Sequence, residues 1–169
     1  MIQHPGYKLD GFKTNHSIKD YNRMHDIDFC RLITNLGLER GVVVDVGCGN
    51  ATFLTELQRK FPDIIPIGID RKPYKHSIDY FVVGDARALP LRTGIADLAV
   101  SSAVSQWVLD RQEDVYLEIA RILKPSGIGL VFPYIECRIN IPNAQVRKIK
   151  FPNSASTNQL LIGSAEVLS

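Results

Sequence analysis

The sequence predicts an α/β fold, a doubly wound and mostly parallel sheet in three layers, with a short antiparallel hairpin at the C-terminal edge. Short apolar runs alternate along the chain with stretches of helical periodicity, which is the pattern of βαβ crossovers. The run Val42–Val46 is continuously branched, as in a strand buried on both faces. The length of 169 residues suits one domain with a single core.

The segment before the first strand is expected to contain an arm and one helix. Residues 1–16 mix Gly, Pro, His and Lys without periodicity and are interpreted as a loose arm before a single domain, residues 17–169. Ser17 is a suitable N-cap for a helix that extends to about Asn35. The side chains with helical spacing in that segment are Ile18, Tyr21, Ile27, Cys30 and Ile33.

The middle of the chain repeats strands and helices, and the C-terminal part does not. The strands predicted after Val42–Val46 are Ile64–Ile69, Tyr80–Val83, Ala96–Ser101 and Ile128–Phe132. The helices predicted among them are Asn50–Phe61 and about Glu113–Leu123, the second ending at a turn over residues 124–127. Two later strand-like pieces, Gln145–Phe151 and Leu160–Val167, are expected to form the hairpin.

Composition narrows the class of protein. A net charge of +2 is too small to indicate nucleic-acid binding by itself. The three cysteines are widely spaced without a CxxC pair, so we expect free thiols in a reducing compartment, with no metal site. The N-terminus lacks an apolar signal region and no apolar run approaches the about 20 residues that cross a bilayer, so we expect a cytoplasmic protein without membrane association.

The stretch "VVVDVGCGN" predicts a ligand site at the end of the first strand. Gly47 and Gly49 permit a sharp turn and a close approach of a ligand to the backbone. A dinucleotide motif would need a third glycine where Thr52 stands. Asp45 would repel a pyrophosphate and suits a ligand with an ammonium and a sulfonium, which favours S-adenosylmethionine and disfavours a nicotinamide-dependent oxidoreductase.

Two further acids follow the next two predicted strands. Asp70 ends the second strand about twenty residues after the glycines, where a carboxylate can accept hydrogen bonds from both ribose hydroxyls. Asp85 follows the third strand, where it can accept from an adenine amino group while the Ala86 N–H faces a ring nitrogen. Either acid alone is as well explained as a cap or turn residue, but three at successive strand ends favour a nucleoside site.

Five stretches in order carry a family resemblance: "VVVDVGCGNATFL", "IGID", "VVGDARALPL", "ADLAVSSAVSQWV" and "EIARILKPSGIGLVF". Residues 42–132 thereby resemble the class I S-adenosylmethionine-dependent methyltransferases, especially those acting on small molecules. The chain departs from that family in two ways. Ala51 replaces a glycine, which is tolerable because alanine is small and forms helices well, and residues 133–144 do not supply a full helix.

The resemblance implies a Rossmann-like sheet of seven strands with the last one antiparallel, and it implies a set of cofactor contacts. The methionine part would lie among Asp45, Gly47, Cys48 and Gly49, the ribose on Asp70, the adenine beside Arg71, Asp85 and Ala86, and the methionine amine on the Ser101 carbonyl.

The residues that would serve the methyl acceptor are not fixed by the sequence. Since the sulfonium already makes the methyl electrophilic, a general base is needed only where the nucleophile must lose a proton. His25, one turn after Tyr21 on the same helix face, is a candidate base, although a lone histidine on a helix is more often a surface or packing residue. Gln106 and Trp107 lie near the expected acceptor position, where Trp107 is equally suited to core packing. The catalytic residues therefore stay unassigned.

Three functions stay open. The first is methyl transfer to a small molecule, and the second is an RNA or protein methyltransferase. The second is motivated by a basic tail with Arg138, Arg147, Lys148 and Lys150, although such a run is more often a solvated edge strand. The third is a non-catalytic S-adenosylmethionine-binding regulatory or scaffold subunit, and monomer and homodimer are both compatible with the sequence.

Overall fold

The computed structural model describes residues 15–102, 104, 108, 111–134, 141, 144–150 and 158–163. In these residues the helices are α1 (Ile18–His25), α2 (Phe29–Asn35), α3 (Thr52–Lys60) and α4 (Gln112–Ile122). The strands are β1 (Val42–Val46), β2 (Ile65–Asp70), β3 (Tyr80–Val83), β4 (Ala96–Ser102), β5 (Leu123–Tyr134), β6 (Gln145–Lys150) and β7 (Asn158–Gly163).

The strands form one sheet in the order β3-β2-β1-β4-β5-β7-β6. The five strands from β3 to β5 in that order are parallel, and β7 is antiparallel to both β5 and β6. The chain order reverses between β1 and β4, so their carboxyl ends form the switch point where open α/β sheets bind ligands. The predicted doubly wound sheet, its antiparallel last strand and the C-terminal hairpin are confirmed.

Each face of the sheet packs its own hydrophobic core, because successive side chains of a strand point to opposite faces. Val43 packs in a cluster with residues of α1, α2 and α3, including Phe29 and Phe53. Val44 and Val46 lie in a second cluster with residues of α4. Helices therefore cover both faces of the sheet, in the three layers expected from the sequence.

The N-terminal helical segment differs from the single helix predicted for it. Ser17 is the N-cap as expected, in a reciprocal capping box with Asp20. Helix α1 ends at His25, and the following Asp26 has a left-handed φ of 51°. Helix α2 starts after Asp28, whose side chain accepts from the N–H groups of Cys30 and Arg31. The prediction failed because aspartates that cap helices interrupt a helical stripe without changing its apolar spacing.

The glycine turn also runs two residues further than predicted, since the helix was expected to begin at Asn50. Helix α3 starts at Thr52, and Ala51 has a left-handed φ of 59°. The expectation that Ala51 serves as a good helix former is therefore wrong, because the residue lies before the helix. An L-residue in this conformation costs about 1–2 kcal/mol, which explains why glycine suits the position.

Strand β5 is longer than the predicted Ile128–Phe132. Its pairing with β4 starts at Ala96 with Leu123 and shifts register before Leu98 pairs with Ile128. The predicted turn over residues 124–127 is therefore an irregularity within β5. The Lys124 ammonium, which lies 2.6 Å from the Asp97 carboxylate, ties this stretch to β4.

Several expectations lie outside the described residues: the arm over residues 1–14, Gln106, Trp107 and the end of the hairpin after Gly163. The ending of β7 at Gly163 concerns the described part only. Among the helices in the described ranges, none has the length and apolar character needed to cross a bilayer.

Candidate functional site at the carboxyl edge of the sheet

The glycine turn after β1 is packed directly against β2. The N–H groups of Gly47 and Cys48 donate to the Ile69 carbonyl at 2.7 and 3.1 Å. Gly47 has a φ of 82°, and a Cβ there would overlap the Val104 side chain. Both the backbone conformation and the lack of space therefore require glycine at this position.

Asp70 joins the end of β2 to this turn. Its carboxylate accepts from the Gly49 N–H at 3.0 Å and from the Lys72 N–H at 3.1 Å, one hydrogen bond on each oxygen. A carboxylate has about four acceptor positions, so Asp70 keeps capacity for two ligand hydroxyls. Two of the residues predicted to contact the cofactor, Gly49 and Asp70, are thus in direct contact with each other.

Asp45 is fully buried beneath helix α1. The Tyr21 hydroxyl lies 3.0 and 2.8 Å from the two carboxylate oxygens and donates to this carboxylate. Burial raises the pKa of Asp45 to about 7, which the Tyr21 hydrogen bond opposes and the charge of Asp70 reinforces. Asp45 therefore changes protonation near neutral pH, where a nearby cation would favour its charged form.

Helix α1 carries a second polar side chain to the sheet edge. The imidazole of His25 is completely buried, and its Nε2 lies 2.6 Å from the Ser102 hydroxyl at the end of β4. The ring also lies among aromatic side chains, with centroid distances of 5.4 Å to Phe29, 5.5 Å to Phe132 and 5.9 Å to Tyr21. The expected shared face of Tyr21 and His25 is confirmed, and His25 is an internal residue.

Asp85, at the end of β3, is held by an arginine close to it in the sequence. Its oxygens accept from the Arg87 N–H, Nε and Nη2 at 2.9, 3.0 and 2.7 Å. These hydrogen bonds lower the pKa of Asp85 to about 2, and the Arg71 charge adds to the effect. An adenine amino group at this carboxylate would share it with Arg87.

The other predicted contacts surround the same edge. Arg71 is exposed after β2, and Ala86 is nearly buried after β3. Cys48 is buried, which raises the pKa of its thiol. Ser101 is also buried, and its hydroxyl has no hydrogen-bond partner among the described residues.

Sequence reasoning missed three residues that organise this edge. Ser102 contacts His25 from 77 positions away, Arg87 occupies Asp85, and Glu56 accepts from the Ile18 N–H at 2.8 Å and ties α1 to α3. The pair Asp85–Arg87 had a local signal, since the two lie two positions apart. The other contacts have none, because they depend on how α1 crosses the sheet.

The profile of the family described as "Methyltransferase domain" matches residues 44–131, from β1 through most of β5. The chain belongs to this methyltransferase family. The resemblance to class I S-adenosylmethionine-dependent methyltransferases is thereby confirmed, and the matched methyltransferase region contains the glycine turn and all three strand-end aspartates.

Curated relatives of this methyltransferase domain act on different substrates by name. A mouse tRNA (carboxymethyluridine(34)-5-O)-methyltransferase, ALKBH8, is 32% identical over 100 residues, which are 54% of this chain and 14% of the relative. A malonyl-(acyl-carrier protein) O-methyltransferase of Hahella chejuensis is 28% identical over 94 residues, 50% of this chain and 33% of the relative. The chain thus spans a minor part of the length of these relatives.

Solved structures share the methyltransferase fold. The PH0226 protein of Pyrococcus horikoshii superposes with a TM-score of 0.57 at 23% identity, over 75% of this chain and 66% of that protein. At this identity the similarity concerns the fold alone.

Proposed function

We propose that this methyltransferase domain binds S-adenosylmethionine at the carboxyl ends of β1, β2 and β3 and directs its methyl group to an acceptor. The observation that carries the proposal is the hydrogen bond from Gly49 to Asp70, because it joins a close-approach turn to a carboxylate with free acceptor positions. A helix N-terminus alone would suit many anions. A carboxylate on the turn instead favours a ligand with hydroxyls and positive charge.

The residues of this edge fit the parts of that cofactor. Asp70 would hold the ribose hydroxyls, and the turn over Gly47, Cys48 and Gly49 would pass along the methionine part. Asp45 would contribute negative charge near the cationic end, since a pKa of about 7 allows it to ionise when a cation arrives. When bound, the cofactor supplies the electrophilic methyl group.

The adenine would lie toward β3. Arg71, Asp85 and Ala86 border that side. On the other side, at the end of β4, the backbone carbonyl of Ser101 would accept from the methionine amine. Because Arg87 already occupies the Asp85 carboxylate, the adenine amino group would share the remaining acceptor positions of that carboxylate.

The acceptor we propose is a carboxylate oxygen. Two relatives with different substrates support this choice: carboxymethyluridine and a malonyl group both end in a carboxylate, and both names specify O-methylation. A carboxylate has no proton to lose, so the absence of an assigned general base is no obstacle. The carrier of that carboxylate, a small molecule, an acyl-carrier protein or an RNA, is a separate question that turnover measurements answer.

Calorimetry with S-adenosylmethionine and S-adenosylhomocysteine tests the cofactor site. Asp70→Ala should weaken binding by about 1–3 kcal/mol, because hydrogen bonds from the ribose to a charged group are lost. Asp63→Ala is the matched control, since Asp63 is an exposed aspartate whose partner is Arg40. Equal affinities in the wild type and Asp70→Ala would contradict the ribose role. Binding without any turnover over a range of acceptors would instead support the non-catalytic alternative.

A further inference from the structure

We propose that the Ser102 hydroxyl, oriented by His25, binds the oxygen of an acceptor carboxylate that does not receive the methyl group. The proposal rests on the proposed function, because it assigns the acceptor side of the same site. It gives Ser102 a direct role in acceptor binding, and it makes His25 a positioning residue that acts through Ser102.

Ser102 is at the right place for such a contact. It is the last residue of β4, next to the switch point between β1 and β4, and it pairs in register with Phe132 of β5. Its preceding neighbour Ser101 pairs with Val46, and the alternation of strand side chains turns the two serine hydroxyls to opposite faces. Ser102 lies on the α1 face and is 8% exposed, so it is nearly buried but not sealed.

His25 is built to fix the direction of this hydroxyl. The imidazole is 0% exposed and is enclosed by the rings of Tyr21, Phe29 and Phe132. Helix α1 itself is anchored by the hydrogen bond from the Ile18 N–H to Glu56 of α3. A side chain confined in this way has little rotational freedom to lose when a ligand binds, which is the condition for a preorganised donor.

The hydrogen bond of 2.6 Å between His25 and Ser102 has a consequence for the hydroxyl proton. The tautomer with the proton on Nε2 fits these contacts: His25 then donates to the Ser102 oxygen, and the serine hydrogen goes to the Tyr21 oxygen in the unliganded site. A carboxylate oxygen is a strong acceptor for that hydrogen. The neighbouring Tyr21 hydroxyl donates to Asp45 and also hydrogen-bonds with Ser102, so a bound carboxylate would replace the Tyr21 oxygen as the acceptor of the serine hydrogen, because a charged oxygen is the stronger acceptor.

The reaction balances without a base. A lone pair of the reacting carboxylate oxygen forms the O–CH3 bond while the C–S bond of the sulfonium breaks and its electron pair stays on sulfur. No proton is transferred, and the product is a neutral ester. A buried histidine near the acceptor is therefore free to orient a donor, and the hydrogen bond to the second oxygen holds the reacting oxygen toward the methyl group.

The test measures methyl-ester formation with two probes of different origin, malonyl-pantetheine and an RNA stem-loop that contains 5-carboxymethyluridine. With whichever carboxylate probe is methylated, Ser102→Ala should raise the acceptor KM by about 10- to 100-fold, since a charged hydrogen bond is lost. The Kd of S-adenosylhomocysteine should change less than about twofold, the scatter expected when no contact is lost. Ser102→Thr, which keeps the hydroxyl, should restore most of the affinity for the acceptor.

A double-mutant cycle separates positioning from packing. If His25 acts through Ser102, His25→Gln raises the acceptor KM in the wild type but adds little in Ser102→Ala. Thr55→Ala is the control for Ser102→Ala, because Thr55 is a partly buried residue of α3 whose hydroxyl donates to the Ala51 carbonyl, away from Ser102 and His25. Should His25→Gln fail to fold, the Ser102 variants still decide the main claim.

Two results would overturn the proposal while leaving the methyltransferase function intact. One is an unchanged acceptor KM in Ser102→Ala, and the other is turnover of a hydroxyl or amine acceptor with neither carboxylate methylated. Failure of S-adenosylhomocysteine to bind the wild type would instead remove the proposed function itself.

Discussion

The carboxyl ends of β1 and β3 each present an aspartate, yet the two carboxylates lie in opposite surroundings. Asp45, at β1, is fully buried and its hydrogen-bond partner is the neutral Tyr21 hydroxyl. Asp85, beyond β3, is partly exposed and paired with the Arg87 guanidinium. The pKa of Asp45 is raised to about 7, and that of Asp85 is lowered to about 2.

The comparison teaches that the same residue type at corresponding strand ends serves different purposes. Burial removes water from Asp45, which penalises its charged form, and Tyr21 compensates only in part. Asp85 keeps both water and a cation, so its charge is permanent at physiological pH. We infer that a cationic ligand can induce the ionisation of Asp45 at β1, whereas Asp85 beyond β3 is ionised with or without a ligand.

The largest expected effect is the change with pH in the free energy of unfolding that the buried Asp45 causes. Its pKa is higher in the folded than in the unfolded chain, so the folded state binds more protons between about pH 4 and pH 7, and stability falls as pH rises through that window. Relative to Asp45→Asn, the wild type should lose roughly 4 kcal/mol of its free energy of unfolding as the pH rises through this window. Urea unfolding of both proteins from about pH 4 to pH 8 measures the difference, and parallel curves would remove the contrast with Asp85.

A smaller effect is expected from the partner of Asp45. Tyr21→Phe removes the donor to a buried carboxylate, which should lower the free energy of unfolding by about 1–3 kcal/mol at pH 8 and by less at pH 5, where Asp45 is protonated. Tyr80→Phe is the control, because Tyr80 is exposed on β3. A loss that does not depend on pH would mean that Tyr21 acts through packing on Phe53 alone.

The smallest effect is expected at the end of β3. Arg87→Met keeps much of the aliphatic stem but removes the cation, so the pKa of Asp85 should rise from about 2 toward its usual value. The lowered pKa contributes stability above about pH 4 that disappears as pH falls through about 2. Because both side chains are partly exposed, the loss in Arg87→Met should stay below about 1 kcal/mol. Carboxyl NMR titration measures the shift, and an unchanged pKa would show that the backbone hydrogen bond suffices.

Local patterns predicted the strands that build this edge better than the segments around it. The branched run of β1 and the short apolar run of β3 occupy the residues expected from the sequence. The helix break at Asp26 and the left-handed Ala51 were missed, because capping and turn conformations leave the apolar spacing unchanged. The irregular start of β5 was missed because its proline and glycine predict a turn. The ion pair between Lys124 and Asp97 and the pairing with β4 keep this stretch in the strand.

By itself the sequence determined the doubly wound sheet, the glycine turn and the order of the strand-end acids, since these follow from periodicity and from short motifs. Only the tertiary structure decided what each acid is bonded to. Asp45 meets Tyr21 and Ser102 meets His25 because α1, held to α3 through Glu56, crosses the ends of β1 and β4. Burial, and with it the pKa of a carboxylate, depends on that packing of distant segments, which no local pattern encodes.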